Sequence, residues 1–144
     1  MTFDDDYPTC LETSATLRIF SDALTPTELS DALGMAPTES FSKGDPVGTR
    51  GHVRRHSGWL LCTRGSVASR DTRHHLAWLL HRLAPRTDVI KSLRDSGADM
   101  DISCYYVSVG QGGPTLGAEQ MTELGRLGLD IWWDIYLNSA GESS

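Results

Sequence analysis

The sequence contains no long hydrophobic run, few cysteines and no paired-cysteine motif. No stretch approaches the roughly 18 apolar residues that a membrane-spanning helix requires. Residues 1–12 are acidic and contain neither a basic start nor an apolar segment, so we expect no signal peptide. Cys10, Cys62 and Cys104 are odd in number and show no Cys-x-x-Cys spacing, which argues against a disulfide framework. These absences predict a cytoplasmic protein that does not enter a membrane.

Patterns typical of the common catalytic mechanisms are also missing. The chain has no Gly-x-Ser-x-Gly motif and neither of the glycine-rich spacings that bind phosphates or dinucleotides. Asp130 and Asp134 share one face of a predicted strand, but they lie about 13 Å apart along it, which is too far for a glycosidase pair. We therefore expect no catalytic residue and no cofactor, and the sequence does not specify a biochemical activity.

Length and composition indicate one folded domain. The chain has 144 residues, of which 39% are hydrophobic and 22% charged, so it can bury a core but not two independent ones. We expect a single domain over residues 13–137, with flexible tails at 1–12 and 138–144.

Charge is segregated along the chain, although the net charge is only −6. Residues 1–42 hold eight acids and one basic residue, and residues 95–144 do the same, whereas residues 43–94 hold eleven basic residues and three acids. Two explanations remain open. The middle segment forms an anion-binding surface, or acidic segments from both ends neutralise it within the fold. We favour the second because the protein as a whole is acidic.

Local patterns predict alternating strands and helices. Thr25, Pro26 and Glu28 form a capping box at the start of the first helix, and leucines at i, i+3, i+4 and i+7 spacing mark a longer helix over about 71–84. The predicted order is β-α-β-α-β-α-β. Its elements are a strand at 14–20, a helix at 25–33, a strand at 58–64, the helix at 71–84 with a continuation at 88–95, a strand at 100–109, a helix at 118–127 and a strand at 129–137.

This order predicts an α+β fold. The spacing of residues 24–29 recurs at 116–121, which indicates two related βαβ units. The last strand alternates apolar and polar residues, so one face of the sheet is less apolar than the other. We expect a two-layer sandwich of ferredoxin-like type, with a mixed four- to five-stranded sheet and helices mainly on one face. Residues 35–56 should form a long loop with a short edge strand near 40–43.

Several short motifs resemble one family. The runs are LGMAPTESFSKGD at 33–45, SGWLL at 57–61, HLAWLL at 75–80, and GLDI and DIY at 128–131 and 134–136. Together they are similar to a bacterial domain of unknown function, number 4279, and the resemblance covers about residues 15–137. It implies a relationship in fold and no particular activity. The chain departs from the family in a basic insert at 49–55.

Two surfaces stand out as candidates for binding. On the longer helix, His74 and Trp78 lie opposite the leucine stripe, where an exposed tryptophan is unusual for a monomer. On one face of the sheet, Trp132, Asp134 and Tyr136 are joined by Tyr105. Nearby aspartates would repel phosphate there, so we reject RNA binding. We expect the 35–56 loop or a second subunit to cover these aromatic side chains.

The sequence therefore leads to a binding module as the first hypothesis for function. We expect a non-enzymatic protein-binding domain, for example an immunity or antidote protein, with a twofold homodimer that buries Trp132 or Trp78. One alternative is a metal-dependent hydrolase, which needs His52, His56 and His75 to converge, with Cys62 as a further ligand. Another is anion or nucleic-acid binding through arginine side chains of the basic segment, namely Arg50, Arg54, Arg55 and Arg70.

Overall fold

A sheet of five strands forms one layer of the protein, and the computed structural model describes residues 1–138. The strands of the chain are β1 (Cys10–Ser21), β2 (Glu39–Phe41), β3 (Pro46–Val47), β4 (His52–Val53), β5 (Ser57–Cys62), β6 (Asp99–Ser108) and β7 (Asp130–Leu137). The five-stranded sheet has the order β2-β5-β1-β6-β7, and β3 pairs only with β4 in a separate hairpin. The predicted α+β class and mixed five-stranded sheet are confirmed.

Four α-helices are present in the described residues, and each begins near its predicted position. They are α1 (Pro26–Leu33), α2 (Thr72–Leu83), α3 (Thr87–Asp95) and α4 (Ala118–Leu127), with a 3₁₀ turn at Ala84–Arg86 between α2 and α3. The predicted capping box of α1 is confirmed, because Thr25 accepts from the Glu28 amide and Glu28 accepts from the Thr25 amide. Gly34 ends this helix with a positive φ of 66°, a conformation that glycine adopts without strain.

The pairing directions correct the predicted topology. Strands β6 and β7 are parallel and are connected by α4, so the second predicted βαβ unit is confirmed. The first is wrong, because β5 is antiparallel to β1. Helix α1 instead leads to β2, and β5 lies between β1 and β2 in the sheet. The predicted loop at 35–56 contains three short strands that reverse the chain before β5. The ferredoxin-like order of the whole sheet is not confirmed.

All four helices contribute to a core on one face of the sheet. Along β1, Ala15, Leu17 and Ile19 are fully buried, whereas the alternate residues Thr16 and Arg18 are only half-buried. The buried set packs against leucines and isoleucines of every helix. Trp59 on β5 is fully buried in the same core, and its indole N–H donates to Ser30 Oγ on α1 at 3.0 Å. This bond satisfies the one polar atom of a large buried side chain.

The ends of the chain differ from the predicted boundaries. Strand β1 begins at Cys10 rather than at residue 14. Residues before it contact α2: the Phe3 ring stacks on His74 at 4.5 Å between centroids, and the Asp4 amide donates to the Asp71 carboxylate at 2.8 Å. Asp71 is also the N-cap of α2. Of the predicted tail at 138–144, all but Asn138 lies outside the described residues.

Basic side chains of the middle segment are partly neutralised within the fold. Arg86 donates to the Leu33 carbonyl at the end of α1, and Arg94 donates to the Leu127 carbonyl at the end of α4. These carbonyls lack helical partners, and a cation at this end of a helix is stabilising. Ion pairs join Arg64 to Glu12 at 3.5 Å and Lys43 to Asp22 at 3.9 Å. The structure thus favours internal neutralisation over one continuous basic surface.

His75 connects α2 to the chain that follows β5. It is only 1% exposed, and its two ring nitrogens lie 2.6 Å from Thr63 Oγ1 and 2.8 Å from the Ser69 carbonyl oxygen. Burial lowers the pKa of His75 below its ordinary value of 6.5. The folded protein therefore holds this ring neutral at a pH where the unfolded chain would protonate it.

We expect stability to fall as the pH drops below about 6.5, because the unfolded state then gains a proton that folded His75 does not. The contribution is fully present above this pH. Thermal unfolding followed by circular dichroism from pH 7.5 to 5.5 measures it, with a loss of several degrees expected. His75→Gln should flatten the dependence, whereas the same change at exposed His52 should not. An equal pH dependence in His75→Gln and the unmodified protein would contradict this role.

Candidate functional site

The face of the sheet opposite the helices is uncovered over β1, β6 and β7 in the described part of the chain. We call it the open face. Its residues lie opposite one another in three rows across the strands, as the pairing register shows. The rows are Ser14, Tyr105 and Asp134; Cys62, Thr16, Ser103 and Trp132; and Leu60, Arg18, Asp101 and Asp130.

A groove of about 460 Å³ lies on the open face. It crosses the central strands, where the side chains are short hydroxyls, Ser14, Thr16 and Ser103. Longer side chains from the neighbouring strands and loops surround it, and these are Thr38, Glu39, Leu60, Cys62, Arg64, Tyr105 and Asp134. The groove therefore results from small residues on β1 and β6 between larger ones on both sides.

Aromatic side chains form a ridge along the β7 side of this groove. The rings of Tyr105 and Tyr136 lie 5.5 Å apart between centroids, and the Arg64 guanidinium lies 5.5 Å from the Tyr105 ring. Trp132 is 59% exposed and Tyr136 is 51% exposed. Exposed aromatic side chains of this size are typical anchors in protein interfaces. We call Tyr105, Trp132 and Tyr136 the aromatic ridge.

Electrostatics of the open face are dominated by carboxylates. Arg18 binds Asp101 through two hydrogen bonds of 2.7 and 2.6 Å, and this pairing raises the pKa of Arg18. Within residues 1–138, Glu39, Asp130 and Asp134 form no ion pair with a basic side chain. The groove and its ridge therefore carry an excess of negative charge.

The predicted binding residues fall in three separate places. Tyr105, Trp132, Asp134 and Tyr136 lie together on the open face, as the alternation of β7 predicted. Arg50, Arg54 and Arg55 lie on the excursion between β2 and β5, at the opposite edge of the sheet. His74 and Trp78 lie on α2, in the helical layer. The sheet edges are about 19 Å apart at 4.8 Å per strand, so these groups do not form one site.

The helical and hairpin residues are already engaged in contacts within the protein, with two exceptions. His74 Nδ1 lies 2.8 Å from Asp5, and Trp78 is half-buried beneath the Arg82 guanidinium at 3.5 Å. Arg54 stacks over the Phe41 ring at 4.0 Å. Arg50 and Arg55, by contrast, are exposed. The prediction that Trp78 is a solvent-facing anchor is wrong, because its ring also packs against the core.

The histidines of the metal hypothesis do not converge. His75 is buried with both nitrogens in hydrogen bonds, and His56 Nδ1 lies 2.6 Å from Asp22. Exposed His52 lies on β4. No group of three histidine, cysteine, aspartate or glutamate side chains that could hold a metal ion occurs within residues 1–138. The geometry required for the metal-dependent hydrolase is therefore absent from this part of the chain.

Cys62 and Cys104 both lie in strands but have different environments. Cys104 is fully buried, and burial raises its pKa to about 12. Cys62 is instead half-buried at the edge of the groove, where its Sγ accepts from the Arg64 amide at 3.4 Å. Sequence reasoning missed Cys62 and Arg64 as parts of the site. The alternation of β5 after buried Trp59 and Leu61 was the available signal for Cys62.

The segment between α1 and β5 covers a different corner of the sheet from the one expected. Phe41 packs directly over Gly58, where an added Cβ would lie 2.2 Å from the ring, and it approaches Phe20 at 6.4 Å. Only Thr38 and Glu39 of this segment reach the groove. The aromatic ridge stays uncovered by it, so the expectation that this loop covers those aromatics is wrong.

Comparison with protein-family models identifies the class. The model for a domain of unknown function, DUF4279, matches residues 11–138, and the chain belongs to this family. The matched region contains all of the sheet except Cys10, all four helices and every residue of the aromatic ridge. No curated protein and no solved structure matches the chain. No helix among residues 1–138 is long and apolar enough to cross a membrane.

Asp134 and Tyr136 provide a spectroscopic test of the site geometry. The neighbouring Asp134 carboxylate raises the pKa of Tyr136 above its ordinary value of 10.0. We expect Asp134→Asn to lower this pKa toward 10.0, because the neutral amide no longer stabilises the protonated phenol. NMR titration of the Tyr136 ring carbons measures the change. Asp130→Asn is the matched control and should have little effect; an unchanged Tyr136 titration in Asp134→Asn would contradict the contact.

Proposed function

We propose that this DUF4279 domain is a non-enzymatic protein-binding module whose open face receives a basic, extended segment of a partner protein. The observation that carries the proposal is the groove bordered by exposed aromatic rings and by carboxylates that form no ion pair within residues 1–138. Such a surface matches arginine and lysine side chains, which pair with carboxylates and also stack on aromatic rings.

The charge of the open face distinguishes a protein partner from a nucleic acid. Glu39, Asp130 and Asp134 would repel phosphate, and the net charge of −6 opposes binding to a polyanion. The arginines of the basic segment do not compensate for this, because Arg64 pairs with Glu12 and Arg86 holds the end of α1. These contacts support a cationic polypeptide as the occupant. An immunity-type protein that neutralises a basic toxin in the cytoplasm is one form of this proposal.

The sheet topology bears on which part of the fold carries the proposed binding surface. We infer a ferredoxin-like arrangement for the part of the chain from β1 to β6, since the sheet order β2-β5-β1-β6 has the strand neighbours of that fold. Helix α4 and strand β7 are then an addition at one edge. This addition carries Trp132, Asp134 and Tyr136, so the proposed binding surface depends on the element that extends the sheet.

Peptide titration tests the proposed function. Two synthetic peptides of equal length serve as probes, one rich in arginine and lysine and the other with glutamate in their place. We expect the basic peptide to shift NMR signals of the groove and the aromatic ridge, and the acidic peptide to leave them unchanged. Trp132→Ala and Asp134→Asn should each weaken binding about tenfold, which corresponds to about 1.4 kcal/mol.

Matched controls lie on the helical side of the protein. Met121 on α4 is 53% exposed, so Met121→Ala removes a comparable exposed apolar side chain, and Asp88→Asn on α3 removes a comparable charge. Both variants should bind the basic peptide as the unmodified protein does. Equal binding of the two peptides, or equal losses in the control and open-face variants, would contradict the proposal.

A further inference from the structure

Strand β7 forms one outer edge of the sheet over eight residues. The opposite edge, β2, has only three residues. The Asn138 amide donates to the Ser108 carbonyl at 2.9 Å, and this bond fixes which backbone groups of β7 face β6. Because successive residues alternate, the N–H and C=O groups of Ile131, Trp133 and Ile135 point away from the sheet. These groups can form a ladder of backbone hydrogen bonds with another strand.

The side chains of β7 do not protect this edge. Proteins usually prevent pairing at a free edge with proline, with lysine or by keeping the strand short. Strand β7 contains neither proline nor lysine. Its exposed apolar side chains occur on both faces: Trp132 and Tyr136 on the open face, and Ile135 at 50% and Leu137 at 79% exposure on the helix-facing side. An edge with these properties favours pairing with a further strand.

We propose that β7 pairs antiparallel with β7 of a second copy of this chain, about a twofold axis that passes through Trp133. In such a pair, residues opposite one another lie on the same face of the joined sheet. With the axis at Trp133, Ile131 of each copy lies opposite Ile135 of the other. Trp133 lies opposite itself, so the helix-facing side of the contact is entirely apolar.

The charges of β7 select this register over its neighbours. With the axis at Trp133, Asp134 lies opposite Trp132 and Asp130 lies opposite Tyr136, so no two carboxylates face each other. Moving the axis to Trp132 places Asp130 opposite Asp134. Moving it to Asp134 places two Asp134 carboxylates directly opposite each other. Like charges in facing positions are destabilising, so of these three registers only the one centred on Trp133 avoids them.

Joining two copies at β7 would place their open faces side by side in one continuous sheet. The aromatic ridges would then meet at the twofold axis, and the groove of each copy would stay open. Peptide binding by a monomer and pairing of β7 without peptide binding are both physically allowed. The two proposals therefore stand or fall separately.

The mass in solution is the first test of this pairing. Analytical ultracentrifugation at about 100 µM should report twice the chain mass of 15.8 kDa. Ile135→Pro removes one outward N–H that β6 does not use, so we expect it to raise the dissociation constant at least about a hundredfold. Ile135→Val keeps that N–H and should remain dimeric. Near-ultraviolet circular dichroism checks that both variants are folded.

Disulfide crosslinking between introduced cysteines tests the register of the β7 pair. In a Cys62→Ser background, the double variant Trp132→Cys and Asp134→Cys should form an intermolecular disulfide on mild oxidation. These two positions face each other without hydrogen bonds between them, so their Cα atoms should lie about 4.5 Å apart, within disulfide range. Each single variant should stay uncrosslinked. A monomer at about 100 µM, a dimer that is unchanged by Ile135→Pro, or crosslinking of either single variant would overturn the proposal.

Discussion

The two-residue period of β1 divides the molecule into its two faces. This strand pairs on one side with β5 and on the other with β6, so its alternation is imposed on both neighbours. Leu17 and Ile19 lie on the face that β1 and its two neighbours turn toward the helical core. Thr16 and Arg18 lie on the opposite face. A shift of one residue in either pairing would turn the hydroxyl side chains that line the groove toward the core and would expose the leucines.

The sequence predicted those elements whose signals are local. The Thr25–Glu28 capping box, the leucine stripe of α2 and the alternation of β7 each lie within a short window. The first two match the structure, and the burial of β7 alternates as predicted over residues 130–133. Strand β2 carries no comparable signal, because its three residues acquire their role only by pairing with β5, about twenty positions later. The short edge strand expected near residues 40–43 was left out of the predicted strand order, which led to the wrong direction for β5 and to a topology with two equivalent halves.

The same distinction applies to the candidate site. Tyr105, Trp132, Asp134 and Tyr136 were predictable because they follow strand alternation on neighbouring strands. Arg64 and Thr38 were not, since both lie just outside strands and reach the groove only through the tertiary fold. The prediction for Trp78 was wrong for a related reason. Helical periodicity places Arg82 one turn from Trp78, but it does not show that the Trp78 ring also packs against the core.

Gly58 has a consequence for the shape of the open face. Phe41 occupies the space where any other residue would place a Cβ, so steric exclusion at one atom sets how closely β2 packs beside β5. Glu39, two residues before Phe41 on the same strand, forms part of the groove wall. A methyl group at position 58 would displace that wall without touching the groove itself. The absence of a side chain at Gly58 therefore determines how close β2 lies to β5, and through the position of Glu39 it also determines the width of the groove.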